Sequence, residues 1–321
     1  MKSIARLLIG ALALVSALSS WSQGSYPDKP VKIIVGFPPG TTGDVIARLM
    51  APKMSEGLGQ QIVIENKPGA GSSIGAEAVA RAPADGYTLL VSTIANTINP
   101  SLFKLSFDFQ RELAPIAMLA EAPGLLVAHP SSGAQNVQEL VAAAKSRPGE
   151  ILYGSSGIGT FTHLYGELFN LATGVKLAHV PYKGSSQAVT DLLAGRIQLL
   201  FTPASTLIPH VKAGTIRALG AIGARRLEAL PEVPTLAEAG IAGFEASLWF
   251  GLNAPAGTPR GAIERLNREV NRVLALPEIK AQLAAQSIDA VPGTSEQFDA
   301  LVRQDTEKWA RVVKTAGVKN D

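Results

Sequence analysis

Apolar positions along the chain recur in two rhythms. Short β-rich runs stand at Val31–Val35 and at residues 61–65, 87–93, 125–129, 151–153, 178–181, 197–201, 216–222 and 248–253. Between most of them, apolar residues fall three and four apart, the spacing of one helix face. Strands alternating with helices predict parallel sheets covered by helices. The clearest helix follows the run at 151–153. Phe161, Leu164, Tyr165, Leu168 and Phe169 share one face, Thr162, Glu167 and Asn170 lie away from it, and Gly174 ends it. Another helix starts near Gly43 with Val45, Ile46, Leu49, Met50 and Leu58 facing inward, and Pro52 is expected to kink or divide it. The last third is helical over residues 259–276 and 295–316, with Pro277 breaking between elements. The stretches Glu121-Ala122-Pro123-Gly124 and 249–259 read equally well as crossings between lobes or as ordinary loops.

The first 22 residues stand outside this alternation. Lys2 and Arg6 precede an almost wholly apolar or small stretch from Leu7 to Leu18, and Ser19-Ser20-Trp21-Ser22 follow, the pattern of a cleavable secretory signal. That apolar core is too short for a membrane span, which needs about 20 residues. Cleavage near Ser22 would release roughly 300 residues, enough for two domains with cores of their own.

Composition narrows the choice of function. The chain carries 29 Lys and Arg against 26 Asp and Glu. Loss of Lys2 and Arg6 brings the mature protein near neutrality, and the absence of a basic cluster argues against nucleic acid as partner. With no cysteine, burial without disulfides must stabilise the exported chain. Four scattered histidines and no cysteine predict no metal site, and no cofactor is expected.

The candidate chemistry concentrates in Gly-rich turns. Gly154-Ser155-Ser156-Gly157-Ile158-Gly159-Thr160 joins a strand to a helix, yet no Gly-Lys-Ser or Gly-Lys-Thr follows to make a P-loop. The dinucleotide fingerprint fails as well, because its third glycine falls where Thr162 stands. Gly71-Ser72-Ser73-Ile74-Gly75 matches the nucleophile-elbow pattern, but a loop rather than a strand precedes it, so Ser72 or Ser73 reads as a helix N-cap. His163 and Glu167, one helical turn apart, read as a hydrogen-bonded pair on a helix face.

An anion site survives these tests. Gly36-Phe37-Pro38-Pro39-Gly40-Thr41-Thr42-Gly43-Asp44 repeats the design of the 154–160 turn: strand, glycine-rich turn, helix start. Each puts backbone N–H groups and hydroxyls at a helix N-terminus, where free donors and the positive dipole end favour an anion. Charge-assisted hydrogen bonds contribute about 1.5–3 kcal/mol each. Four to six of them, less immobilisation costs, reach the roughly 8 kcal/mol of a micromolar complex. For either turn alone, an ordinary capped connection is the better reading; two such turns in one exported α/β chain favour a ligand cleft.

Ordered motifs along the chain resemble one family. They are Tyr26-Pro27-Asp28-Lys29-Pro30 with the 36–44 turn, Glu65-Asn66-Lys67-Pro68-Gly69-Ala70-Gly71, Asp85-Gly86-Tyr87-Thr88-Leu89-Leu90, the 154–163 segment, Val180-Pro181-Tyr182-Lys183-Gly184 and residues 254–259. From Tyr26 to about Val318 the chain resembles the extracytoplasmic solute receptors of tripartite tricarboxylate transporters, the Bug family. The resemblance implies an α/β, type II periplasmic binding protein fold, with two lobes around a ligand cleft joined by hinge strands. Residues 23–124 with 247–321 would form lobe 1, and 125–246 lobe 2. It implies a monomeric periplasmic receptor, not an enzyme, that binds a small carboxylate (di- or tricarboxylate, or aromatic) and delivers it to the large and small membrane subunits of a permease. Alternatives are the same receptor signalling to a sensor kinase, or a secreted hydrolase using Ser73 or Ser156.

The family's first-lobe site falls on Phe37, Gly40, Thr41, Thr42, Gly43 and Asp44, with Asp44 as loop organiser, and on Thr93 and Asn96. Its second-lobe site falls on Ser155, Ser156, Gly159, Thr160 and His163, with Tyr182, Lys183 and Gly184 nearby. Two positions depart from the family pattern. Thr41 stands where a second glycine is frequent, and Thr202 stands where many members carry an acid that would bind a substrate ammonium. The second departure favours a dicarboxylate or aromatic carboxylate over an amino acid.

Overall fold

The computed structural model describes residues 26–182, 184–244 and 248–318. The expected signal segment and Lys183 lie outside the described residues. The chain begins β1 (Val31–Val35), α1 (Thr42–Leu58), β2 (Ile62–Asn66), α2 (Ser73–Ala80), β3 (Thr88–Thr93) and the short α3 (Ile94–Ile98). β1 pairs in parallel with β2 and β3, so that Val35 lies between Asn66 and Val91. The carboxyl ends of all three strands, and the starts of the helices that follow, therefore share one edge of the sheet, where ligands bind in open α/β folds. Four of the five residues of β1 are buried, as befits a strand covered on both faces.

The short α4 (Phe109–Glu112) leads into β4 (Leu113–Ala122), which joins the same sheet antiparallel to β10 (Leu248–Pro255). Between them in sequence lie β5 (Gly124–Ala128), α5 (Val137–Ser146), β6 (Leu152–Ser155), α6 (Phe161–Thr173), β7 (Ala178–Pro181), α7 (Ser185–Leu193), β8 (Leu199–Pro203), α8 (Ala204–Lys212) and β9 (Arg217–Ile222). These strands form a second sheet, ordered β7-β6-β8-β5-β9. The chain ends with α9 (Arg260–Ala275), α10 (Pro277–Ala284), β11 (Asp289–Ala290) and α11 (Ser295–Ala316). β11 completes the first sheet, ordered β11-β4-β10-β3-β1-β2.

Only Pro123 separates β4 of the first sheet from β5 of the second. Gly124 is closely packed: a Cβ there would lie 3.1 Å from that of Ile222, so that side chain would have to shift. The chain returns to the first sheet between β9 and β10. α11 runs across both halves. Phe298 packs on Gly251 of β10, and Asp305 accepts a 2.6 Å hydrogen bond from the Trp249 indole N–H. One turn further on, Trp309 meets the ring of Tyr165 on α6 edge-on at 5.6 Å.

Two expectations change. β4 and β11 were absent from the strand pattern. Pro52 sits inside a continuous helix without dividing it. Pro277 breaks the helical third as expected and opens α10, at a position where its missing N–H removes no intrahelical bond.

Candidate functional site

The two Gly-rich turns have the same construction to the level of single hydrogen bonds. In the first, Gly40 adopts φ +82° and the Thr41 N–H returns to the Pro38 carbonyl, a turn that needs glycine at its third position. In the second, Gly159 adopts φ +75° and the Thr160 N–H returns to Gly157. Thr41 and Thr160 are then the N-caps of α1 and α6, with nearly identical dihedrals of −74°/160° and −71°/160°. A threonine at this position ordinarily turns its hydroxyl onto the first-turn N–H groups. Here both hydroxyls turn back instead: Thr41 Oγ1 donates to Pro38 O at 2.9 Å and Thr160 Oγ1 to Gly157 O at 2.7 Å. Neither helix receives a side-chain cap, and the positive end of each dipole keeps its backbone donors.

The third residue of each helix fixes the glycine before the cap. Asp44 Oδ2 accepts the Gly40 N–H at 2.9 Å, and His163 Nδ1 accepts the Gly159 N–H at 3.0 Å. Asp44 is buried and also receives the Arg48 guanidinium at 3.0 Å and Asn66 Nδ2 at 2.9 Å. Burial opposes its ionisation, but these bonds and the Arg48 charge outweigh burial and hold the carboxyl below its usual range. Arg48 and Asp44 neutralise each other, so the first turn offers an anion neutral backbone donors.

His163 performs the equivalent task without a charge. Acceptance at Nδ1 assigns its proton to Nε2, which lies 3.8 Å from Glu167 Oε1, too far for the helix-face hydrogen bond expected from their spacing. Glu167 instead accepts from the Tyr153 hydroxyl at 2.6 Å. The His163 ring stacks on His179 of β7 at 3.8 Å and 10°. Burial, with the neighbouring His179 second, lowers the His163 pKa to about 3, and burial lowers that of His179 to about 4. Two stacked imidazoles this close cannot both carry charge without repulsion.

The unfolded chain takes up protons near pH 6.5, whereas the folded pair stays neutral well below that. Stability from the pair is therefore complete above pH 6.5 and is lost as pH falls toward 4. The melting temperature should drop across this window, and His179→Gln should flatten the drop. Equal slopes in the two proteins would show that the pair has no such role.

The remaining expected positions divide. Ser155 is buried, with Oγ 2.6 Å from His179 Nε2 and accepting from the Gly157 N–H. Thr162 Oγ1 accepts the Ser156 N–H and lies within hydrogen-bond distance of the Ser156 and Thr160 hydroxyls. Thr42 and Gly43 open α1, and the Phe37 carbonyl accepts from Asn66. Thr93 and Asn96 form a capping box for α3, Thr93 Oγ1 accepting from Ala95 and Asn96 Oδ1 from the Thr93 N–H. The Tyr182 hydroxyl donates to Asp191 at 2.8 Å, Gly184 is the N-cap of α7, and Thr202 is buried in β8. Neither serine of the hydrolase alternative meets a histidine: Ser73 accepts from Asn99, and Ser156 pairs with Thr162.

Sequence reasoning missed Thr162, His179, Asn66 and Leu102. Leu102, just beyond α3, reaches from the first half to the second turn, where a Cβ on Gly159 would overlap its Cδ1. Asn66 and Thr162 stood in quoted motifs without a role of their own; His179 and Leu102 matter through contacts distant in sequence.

Two lobes joined at Pro123, each presenting an uncapped helix start behind a glycine turn, define a solute receptor of the periplasmic binding class. The profile of the tripartite tricarboxylate transporter family receptor matches residues 46–318. A protein from the tcbD-tcbE intergenic region of a Pseudomonas species is 37% identical over 96% of this chain and 93% of its own. Protein BugT of Bordetella pertussis is 36% identical over 93% and 92%. Among solved structures, a Rhodopseudomonas palustris protein with adipate superposes with TM-score 0.80 at 35% identity, covering 92% of this chain and 100% of that one. MatC from the same organism, with bound malate, gives TM-score 0.77 at 29% identity, covering 90% and 100%. The chain belongs to the tripartite tricarboxylate transporter receptor family, whose members are periplasmic solute receptors.

Proposed function

We propose that this protein binds a small dicarboxylate between its lobes, one carboxylate on the α1 turn and the other on the α6 turn, and delivers it to a tripartite-type permease. The observation that carries the reading is the matched release of two helix starts, each N-cap threonine hydroxyl turned back onto its own turn. A ligand touching both lobes favours the arrangement in which both contacts form, so binding and closure are one equilibrium. We take Pro123 and the connection that leads into β10 as the hinges, with residues 23–124 and 247–321 moving against 125–246. The adipate and malate carried by relatives fit this reading. With Thr202 in place of an acid, β8 offers no negative charge to a ligand ammonium at that position, which favours dicarboxylates over amino acids.

A thermal-shift and calorimetric screen tests this with adipate, malate, an aromatic carboxylate, aspartate and a neutral sugar. Dicarboxylates should raise the melting temperature most, and aspartate should do less than malate. Stabilisation by the sugar with none by any acid would overturn the reading.

A further inference from the structure

The turn before α2 holds a serine in a position that suits glycine. Ser72 has φ +77° and ψ −3°, the left-handed region. Its side chain is 0% exposed, and Oγ has no hydrogen-bond partner among the described residues. It occupies the N-cap position expected from the sequence, yet it bonds no N–H of α2. The hydroxyl points instead at Gly36, so closely that a Cβ on that glycine would overlap it. Gly75, one turn along α2, has its backbone against the same residue, and a Cβ there would lie 3.0 Å from Gly36 Cα. The first turn of α2 is thus pressed onto the point where β1 passes into the first anion turn.

We infer that Ser72 is a ligand-reading residue: its hydroxyl donates to the carboxylate seated on the first turn, directly or through one ordered water. This rests on the carboxylate reading above. A left-handed serine with an unspent buried hydroxyl lowers stability twice, through its backbone and through desolvation. Glycine would remove both costs, and the chain already uses it at Gly69, Gly71 and Gly75 around this position. Groups kept at such cost cluster where an outside partner uses them. A hydroxyl proton is the complement of a carboxylate oxygen. Arg48, the cation bound to this turn, is already engaged by Asp44 and Asn66, so a neutral donor is what the first lobe can add. Asn99 holds the serine turn in place, its Nδ2 donating to Gly71 O at 2.7 Å and Ser73 Oγ at 2.8 Å.

Ser72→Gly and Ser72→Ala, titrated calorimetrically with malate and adipate and melted without ligand, test the inference. Ser72→Gly should melt at a higher temperature than wild type while binding its preferred acid about tenfold more weakly. Ser72→Ala should lose a similar factor in affinity. Gain of stability with loss of affinity is a signature that a purely structural serine does not give. Affinities within twofold of wild type in both variants would overturn the inference and leave the carboxylate reading standing. Should Ser72→Ala fail to fold, Ser72→Gly decides alone. Wild-type protein that binds neither acid nor any other carboxylate would overturn the carboxylate reading, and this inference with it.

Discussion

Asp44→Ala is expected to unfold at a temperature about 5–10 °C below wild type and to bind dicarboxylate at least tenfold more weakly. The substitution strips a buried acceptor from the Gly40 N–H, Asn66 Nδ2 and the Arg48 guanidinium together. Leaving buried donors unpaired costs about 1–3 kcal/mol, and losing one partner of a buried charge pair costs 3–5. Arg48 is half exposed and regains water, so roughly 2–3 kcal/mol is the expected loss. Asp44→Asn keeps an acceptor oxygen and should fall between. Because the folded pKa of Asp44 is depressed, its contribution is complete above the ordinary carboxylate range and disappears as pH falls below about 4. Melting curves of wild type and Asp44→Ala should therefore converge in acid. Wild-type affinity in Asp44→Ala would show that the first turn does not depend on this residue.

Gly159→Ala should weaken binding at least as much, for two separable reasons. Its φ of +75° disfavours any Cβ by about 1–2 kcal/mol, and that Cβ would also strike Leu102 across the lobes. Combined with Leu102→Ala, the steric part should be relieved while the backbone part remains. Calorimetric affinities of the two single variants and the double variant form a cycle whose coupling term isolates the contact. Additive losses would mean that Leu102 and Gly159 do not act on each other during binding.

The parts of this protein that were readable from sequence are those built from neighbours in the chain. The face Phe161, Leu164, Tyr165, Leu168 and Phe169 and the stop at Gly174 follow from local spacing, and α6 runs Phe161–Thr173 with a left-handed Gly174 after it. The two glycine turns were legible because strand, glycines, hydroxyls and helix start lie within a dozen residues. β4 was not. Leu113-Ala114-Pro115-Ile116-Ala117-Met118-Leu119-Ala120 is rich in helix formers, and it is a strand because β10 and β11 pair with it from either side. The stack of His163 on His179 was equally hidden, since only the pairing of β6 with β7 brings the two rings together. Ser72 or Ser73 was read as a cap, and Ser72 holds the cap position; that its hydroxyl faces Gly36, far back in the chain, was not legible.

The C-terminal helix α11 gives the molecule an internal reporter. Trp309 is anchored to the first lobe through its own helix and faces Tyr165 of the second, while Trp249 is held by Asp305 in the first. One indole thus has its polar partner within the first lobe, and the other is in contact with a ring of the second. If ligand draws the lobes together as proposed, Trp249 should emit as a fixed reference while Trp309 serves as a native optical gauge of domain orientation that needs no added label.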